Sequence, residues 1–413
     1  MVQISDPLIL PCGTVLPNRI AKAAMSEQLA NRRHAPDHRL RELYGRWSKS
    51  GAGLLITGNV MIEPGAVSEP RQAVLDSAEH LAAFARWARA ATDNATGVWM
   101  QINHAGRQIP RYLRRRPTAP SAVPMSGGLG MYGLPRELSA AEITDLIAGF
   151  ANTAQLAIRA GFTGIEIHAA HGYLISQFLS PATNTRTDEW GGSPERRRRF
   201  LLAVVEAVRA AIGPDVPLGV KINSADFQRG GFSEDESLAA LEALGALGKT
   251  HLDLVEISGG TFESGAMVGL AEQPTRASTR AREAYFLRFA ERARERISTP
   301  IMLTGGFRSR AGMQAALDAG VNVIGLARPM ALAPEFPRRL LDGTGADFDQ
   351  GAESGARRGP VFLRAAADVM WHTEQLGRIA RRREPDPRSN ATASLARMLA
   401  GHGVSALACR LSR

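Results

Sequence analysis

Cysteine is nearly absent from this sequence: Cys12 and Cys409 stand near opposite ends of a chain of 413 residues. Two thiols cannot supply the ligand set of an iron–sulfur cluster or a disulfide framework, so a stable fold must come from packing. No uninterrupted apolar run is long enough to span a bilayer, and residues 1–11 lack the basic-then-apolar order of an export signal, so a cytoplasmic protein with no membrane partner is expected. No Gly-x-Gly-x-x-Gly unit opens the chain, which weakens an open dinucleotide-binding sheet without excluding it. Aromatics make up only 6%, and Arg114–Arg116 lacks the interleaved aromatics of a stacking platform, so nucleic acid is not an expected partner. The second basic run, Arg196–Arg199, follows a helix start and reads as a solvated face with one or two buried ion pairs.

What the chain has is apolar mass and turns. Hydrophobic residues make up 44%, with 41 glycines and 23 prolines, which suits a large packed core cut by many loops. The formal charge of +10 favours an anionic cofactor or substrate but names neither. Eight short apolar segments recur along the chain: Arg19–Met25, Gly53–Thr57, Val98–Ile102, Gly164–His168, Leu218–Ile222, Leu252–Ile257, Ile301–Thr304 and Val321–Leu326. Helical patterns at 37–50, 78–91, 140–160, 195–212, 234–247, 282–297 and 309–319 separate them. Such runs, apolar on both faces and alternating with helices, predict an α/β fold with eight parallel strands closed into a (β/α)8 TIM barrel. An open doubly wound sheet fits the same pattern less well. Residues 1–342 form the expected barrel. Residues 343–413 form a loop and helical C-terminal extension packed on or beside it, with a helix over 362–382 and a loosely attached helical tail after Pro385. The Pro/Gly-rich stretch 107–135 is an extended loop after strand 3, placed to help cover a pocket.

Barrel enzymes carry their chemistry at the carboxyl ends of the strands. There the fourth segment runs out as Glu166-Ile-His168-Ala-Ala-His171-Gly-Tyr173. His168 and His171 could donate two hydrogen bonds to one oxygen, and Tyr173 could deliver a proton. The same histidines could pack locally, or join His104 and Glu166 around zinc, and spacing alone leaves these uses open. Gln101, at the end of segment three, could bind a planar heterocycle or be a satisfied core amide. Segments seven and eight end in Thr304-Gly-Gly-Phe-Arg308 and Gly325-Leu-Ala-Arg328. These are the loops where barrels often bind phosphate through backbone N–H groups, although each glycine could serve only a turn.

With those residues in view, the sequence resembles the old yellow enzyme family of flavin-dependent ene reductases from Asp6 to about Pro337. The string from His168 to Ser193, through Gln177, Asn184 and Trp190, carries most of the likeness, and His104–Arg107, Thr304–Phe307 and Gly325–Arg328 follow in the family's order. The resemblance implies non-covalent FMN, NADH or NADPH as reductant, and a small activated alkene as substrate. It also leaves a homo-oligomer open. In that reading N5 of the flavin delivers hydride, His168 and His171 bind the substrate's electron-withdrawing oxygen, and Tyr173 donates the proton. Ala24, Met25, Ser26 and Gly58 lie beside the isoalloxazine, and Gln101 and Lys221 meet its pyrimidine edge. Gly305, Gly306, Gly325, Ala327 and Arg328 hold the phosphate, with Arg308 a weaker addition. The family usually has arginine at the Lys221 position; lysine keeps the charge but loses the planar fork. Ser26 occupies a position often held by Thr or Cys.

Overall fold

A computed structural model describes residues 1–92, 96–126, 130–248, 251–261, 263, 286–344, 347–348, 361–397 and 400. Eight parallel strands form a closed ring: β1 Ile20–Lys22, β2 Leu54–Ile56, β3 Gly97–Asn103, β4 Gly164–Ala169, β5 Leu218–Asn223, β6 Leu254–Ser258, β7 Ile301–Thr304 and β8 Val323–Leu326. Each pairs with its sequence neighbours, and β8 returns to β1 through Ile324 opposite Ile20. This is the TIM barrel expected from the eight apolar runs, and it removes every open sheet edge.

The helices lie outside. They are α1 His38–Trp47, α2 Leu81–Thr92, α3 Ala140–Arg159, α4 Pro194–Ile212, α5 Glu234–Ala246, α6 Leu287–Arg294 and α7 Arg310–Asp318. Their starts are written in the sequence: Ser139 with Glu142 and Ser233 with Glu236 form capping boxes, and Ser193 caps α4 ahead of Pro194. The start expected for α6, at 282–285, lies outside the described residues. In the basic run of α4, Arg197 is buried and paired with Glu236, whereas Arg199 reaches the exposed Glu189. No helix among the described residues is long and apolar enough to cross a membrane.

Inside the ring, side chains of alternate strand residues stack in layers. The lowest layer is apolar: Ala21, Leu54, Trp99, Leu254, Met302 and Val323 pack together. A short N-terminal hairpin, Leu8–Ile9 with Val15–Leu16, joins them through Leu8, Leu10 and Leu16 and plugs the barrel's lower end. The hairpin is a correction to the sequence reading, since two-residue strands are too short to show periodicity. Trp99 fits because the facing residues are Gly164 and Gly219, where an added Cβ would stand 2.5 and 2.9 Å from its indole.

The C-terminal extension also needs correction. The helix Val361–Ile379 follows the expected pattern, but the chain beyond Pro385 is not loose through residue 397. Ala391 is buried with Trp371, Leu332 and Leu395 pack against them, and Trp371 Nε1 donates to Ser389 O at 2.9 Å. A buried indole N–H needs that acceptor, which ties the segment down. Residues 398–399 and 401–413 lie outside the described residues.

The Trp99 floor yields a stability prediction. Gly164→Ala forces a methyl group against the indole and should destabilise the fold by about 1–3 kcal/mol, the usual cost of overpacking. The urea midpoint of unfolding, followed by circular dichroism, measures it; an unchanged midpoint would show that Trp99 can shift freely.

Candidate active site

Directly above Trp99 the barrel interior turns polar. Gln101 of β3, Glu166 of β4, Lys221 of β5, Glu256 of β6 and Thr304 of β7 face one another, and the first four are at most 3% exposed. Lys221 Nζ donates to Glu256 Oε1 at 2.7 Å, and Gln101 Nε2 donates to Glu166 Oε2 at 2.6 Å. The two carboxyl groups also bond to each other. Burial, then the charge of Glu256, pushes the Glu166 carboxyl well above the ordinary carboxylate range. Burial acts on Glu256 too, but Lys221, through its charge and its hydrogen bond, and Glu166 hold it below that range. Glu166 is therefore the protonated partner and Glu256 the ionised one, so Lys221 and one carboxylate balance. Alternation of strand residues identifies this layer only when the inward face is known, and the sequence reading had given Glu256 no role.

The next layer forms the floor of the mouth, with Asn103, His168, Asn223 and Ser258 buried on the same inward faces. His168 Nδ1 accepts from Ala170 N at 3.2 Å, which leaves the proton on Nε2. His171 has a left-handed backbone, φ 61°, fixed by the bond from its N–H to Asn223 Oδ1 at 3.1 Å; its Nε2 lies 2.9 Å from Ser258 Oγ. Burial, reinforced by Lys221 and for His168 also by His171, drives both imidazoles well below their ordinary pKa. Both are neutral donors at neutral pH. The ring centroids of His168 and His171 are 5.1 Å apart, and those of His168 and Tyr173 are 4.9 Å apart. Tyr173 is buried among Met61, Val67, Ala105 and Ile109, and burial, then Glu69 and Tyr132, raises its hydroxyl far above the ordinary value despite a bond to Asn59. Ala105 and Ile109 begin the long loop after β3, so that insertion does lie over Tyr173. Its residues 127–129 lie outside the described residues.

The remaining sequence-predicted positions ring the mouth. Ala24, Met25 and Ser26 are half-buried in the loop after β1, and Ser26 Oγ donates to Glu69. Gly58 follows β2, where a Cβ would stand 2.3 Å from Met25 O, and its N–H donates to Glu27 Oε1 at 2.8 Å. Glu27 also accepts from Tyr44, which neighbours the fully buried Lys22, so this loop is braced from below. Gly305 and Gly306 carry positive φ of 144° and 83° after β7. Thr304 pairs with Gly325 across β7 and β8, where a Cβ would come within 1.9 Å of Thr304 Oγ1, so the two glycine loops lie side by side. Ala327 is half-buried and Arg328 exposed at the start of the next short helix. His104, offered above as a metal ligand, instead accepts from Gly106 N at 2.9 Å and meets Glu63 at 3.3 Å. Among the described residues no three His, Cys, Asp or Glu side chains are grouped to hold a metal ion.

This arrangement can be set beside known proteins. The sequence model of the NADH:flavin oxidoreductase / NADH oxidase family matches residues 6–346. The chain belongs to that family. The NADH-dependent flavin oxidoreductase iliE of Hypocrea jecorina is 38% identical over 362 residues, covering 82% of this chain and 89% of that protein. The NADH-dependent flavin oxidoreductase nadA of Aspergillus parasiticus is 38% identical over 346 residues, covering 79% and 76%. The solved old yellow enzyme homologue from Zymomonas mobilis matches with TM-score 0.71 at 27% identity, over 84% of this chain and 94% of that one. This flavin oxidoreductase is thus an enzyme of the old yellow enzyme type.

The polar layer yields a second prediction. Lys221→Met in this flavin oxidoreductase strands the buried Glu256 carboxylate and should cost about 3–5 kcal/mol. Adding Glu256→Gln removes the stranded charge and should recover much of that loss. Urea unfolding of the single and double variants tests this coupling; additive losses would mean that the pair is not coupled.

Proposed function

We propose that the chain uses FMN and NADH or NADPH to reduce the activated C=C bond of α,β-unsaturated carbonyl and related compounds. The observation that carries this reading is the convergence of two neutral imidazoles and a protonated tyrosine in one buried mouth, with ring centroids 4.9 and 5.1 Å apart.

The residues present fit FMN. The Asn103 amide is 1% exposed and has no partner among the described residues at either Nδ2 or Oδ1, as suits a group facing a bound polar molecule. Gly305 and Gly306, with positive φ after β7, and Gly325, packed closely on Thr304, would with Ala327 and Arg328 take the phosphate. Ala24, Met25, Ser26 and Gly58 would flank the ring system, with Gln101 and Lys221 at its pyrimidine edge. Bound there, FMN would supply two-electron hydride chemistry between a nicotinamide and an activated alkene.

The protein's own work is electrostatic and positional. His168 Nε2–H and a donor from His171 hold the substrate's carbonyl oxygen and stabilise the charge that grows there. Their neutrality matters, because a neutral imidazole donates without requiring a buried cation beside Lys221. Tyr173 keeps its proton at any working pH and gives it to the α-carbon.

Rapid mixing of pre-reduced, FMN-saturated protein with cyclohexenone separates these roles. His168→Ala and His171→Ala should each weaken enone binding and slow reoxidation, by about 2–4 kcal/mol where the lost donor acts in the transition state. Tyr173→Phe should leave flavin reduction by nicotinamide intact and slow the alkene half-reaction about 10²–10⁴-fold. Parent-rate reduction by Tyr173→Phe removes that residue as donor. Failure of every activated alkene to reoxidise the parent enzyme removes the whole reading.

A further inference from the structure

One carboxylate of the mouth has no part in this chemistry. Glu69 lies on the loop after β2, where its backbone N–H is held by Gln72 Oε1 at 3.1 Å. Its side chain accepts from the Ser26 hydroxyl, on the loop after β1. Across the mouth its charge acts on Tyr173 from the loop after β4, and on Tyr112 and Tyr132 from the long loop after β3. The substrate-facing hydroxyl is thus within the field of Glu69, and three separate loops enclose it.

Among the described residues no lysine, arginine or histidine forms an ion pair with Glu69, and the other charge acting on it is the like charge of Glu27. Arg71, two residues on, turns away so that its guanidinium donates to Ala30 O at 3.4 Å. Burial, opposed by the bond from Ser26 and helped by Glu27, raises the carboxyl to about 6. It is ionised at neutral pH and neutral in mild acid.

We propose that Glu69 is a specificity-determining residue that bars carboxylate-bearing alkenes from the mouth and admits neutral or cationic ones. The claim rests on the function proposed above. A second carboxylate brought within several ångströms of Glu69 in this low-dielectric site meets repulsion that water outside would screen. A substituent cation instead meets a carboxylate that no cation among the described residues pairs with. The selection needs the ionised carboxylate, so it is nearly full at pH 7.5, about halved near pH 6 and lost in mild acid.

The test uses N-substituted maleimides with ethyl, carboxymethyl and 2-aminoethyl tails as oxidants of the pre-reduced, FMN-loaded enzyme, followed by flavin absorbance. At pH 7.5 the carboxymethyl compound should react at least about tenfold more slowly than the ethyl compound, and the aminoethyl compound no more slowly. In Glu69→Gln the anionic-to-neutral rate ratio should rise about tenfold, and in the parent enzyme it should rise likewise between pH 7.5 and 5. A parent ratio near one, or a ratio that neither Glu69→Gln nor acid changes, overturns the proposal while leaving ene reduction standing. If no maleimide is reduced, the function fails instead. Binding then decides the charge selection: 4-hydroxybenzamide should perturb the flavin spectrum at a concentration about tenfold below that needed for 4-hydroxybenzoate, and equal affinities would overturn it.

Discussion

The bond between Lys221 and Glu256 is made inside the barrel, where either charge alone would be prohibitively expensive. Their pairing lets a polar layer exist in the middle of a structure whose lower half is a sealed apolar plug. Glu166, kept protonated, extends that layer to Gln101, so four strands contribute to one neutral hydrogen-bonded unit. Removing any member leaves a buried polar group without its partner, which makes the layer a strong constraint on residue choice.

The mouth is built on that layer. Lys221 and burial together hold His168 and His171 neutral, and Asn223 and Ser258 fix the loop that carries His171. Below, Trp99 occupies the volume released by Gly164 and Gly219, so the polar groups have a dry floor. Above, the loops after β2 and β3 bring Glu69, Tyr112 and Tyr132 near Tyr173 of the loop after β4. Chemistry and selection are thus divided between the rigid strand ends and the more variable loops.

Much of this was legible in the sequence. Buried parallel strands read as continuous apolar runs, so all eight barrel strands were found, with boundaries shifted by at most three residues. Apolar residues at helical spacing did the same for the helices. His168, His171 and Tyr173 stood out because polar residues crowd the end of an apolar run, and the family likeness then gave them roles. Glu256 was hidden, since a single acidic residue inside Leu-Val-Glu-Ile-Ser does not reveal which face it occupies. Glu69 was hidden for a different reason: its environment comes from loops far apart in sequence, which no periodicity describes. The N-terminal hairpin and the packing of Trp371 on Ser389 likewise depend on tertiary contacts that local pattern does not encode.

The central claim is that the polar layer and the two glycine loops together form a cradle for FMN. It is tested most directly by denaturing the purified protein, separating the released small molecules and measuring their mass and amount. The account predicts close to one FMN per chain, released without proteolysis because the cofactor is not covalently bound. Protein that carries no flavin, and takes up none after incubation with FMN under conditions where its fold is intact, would contradict it.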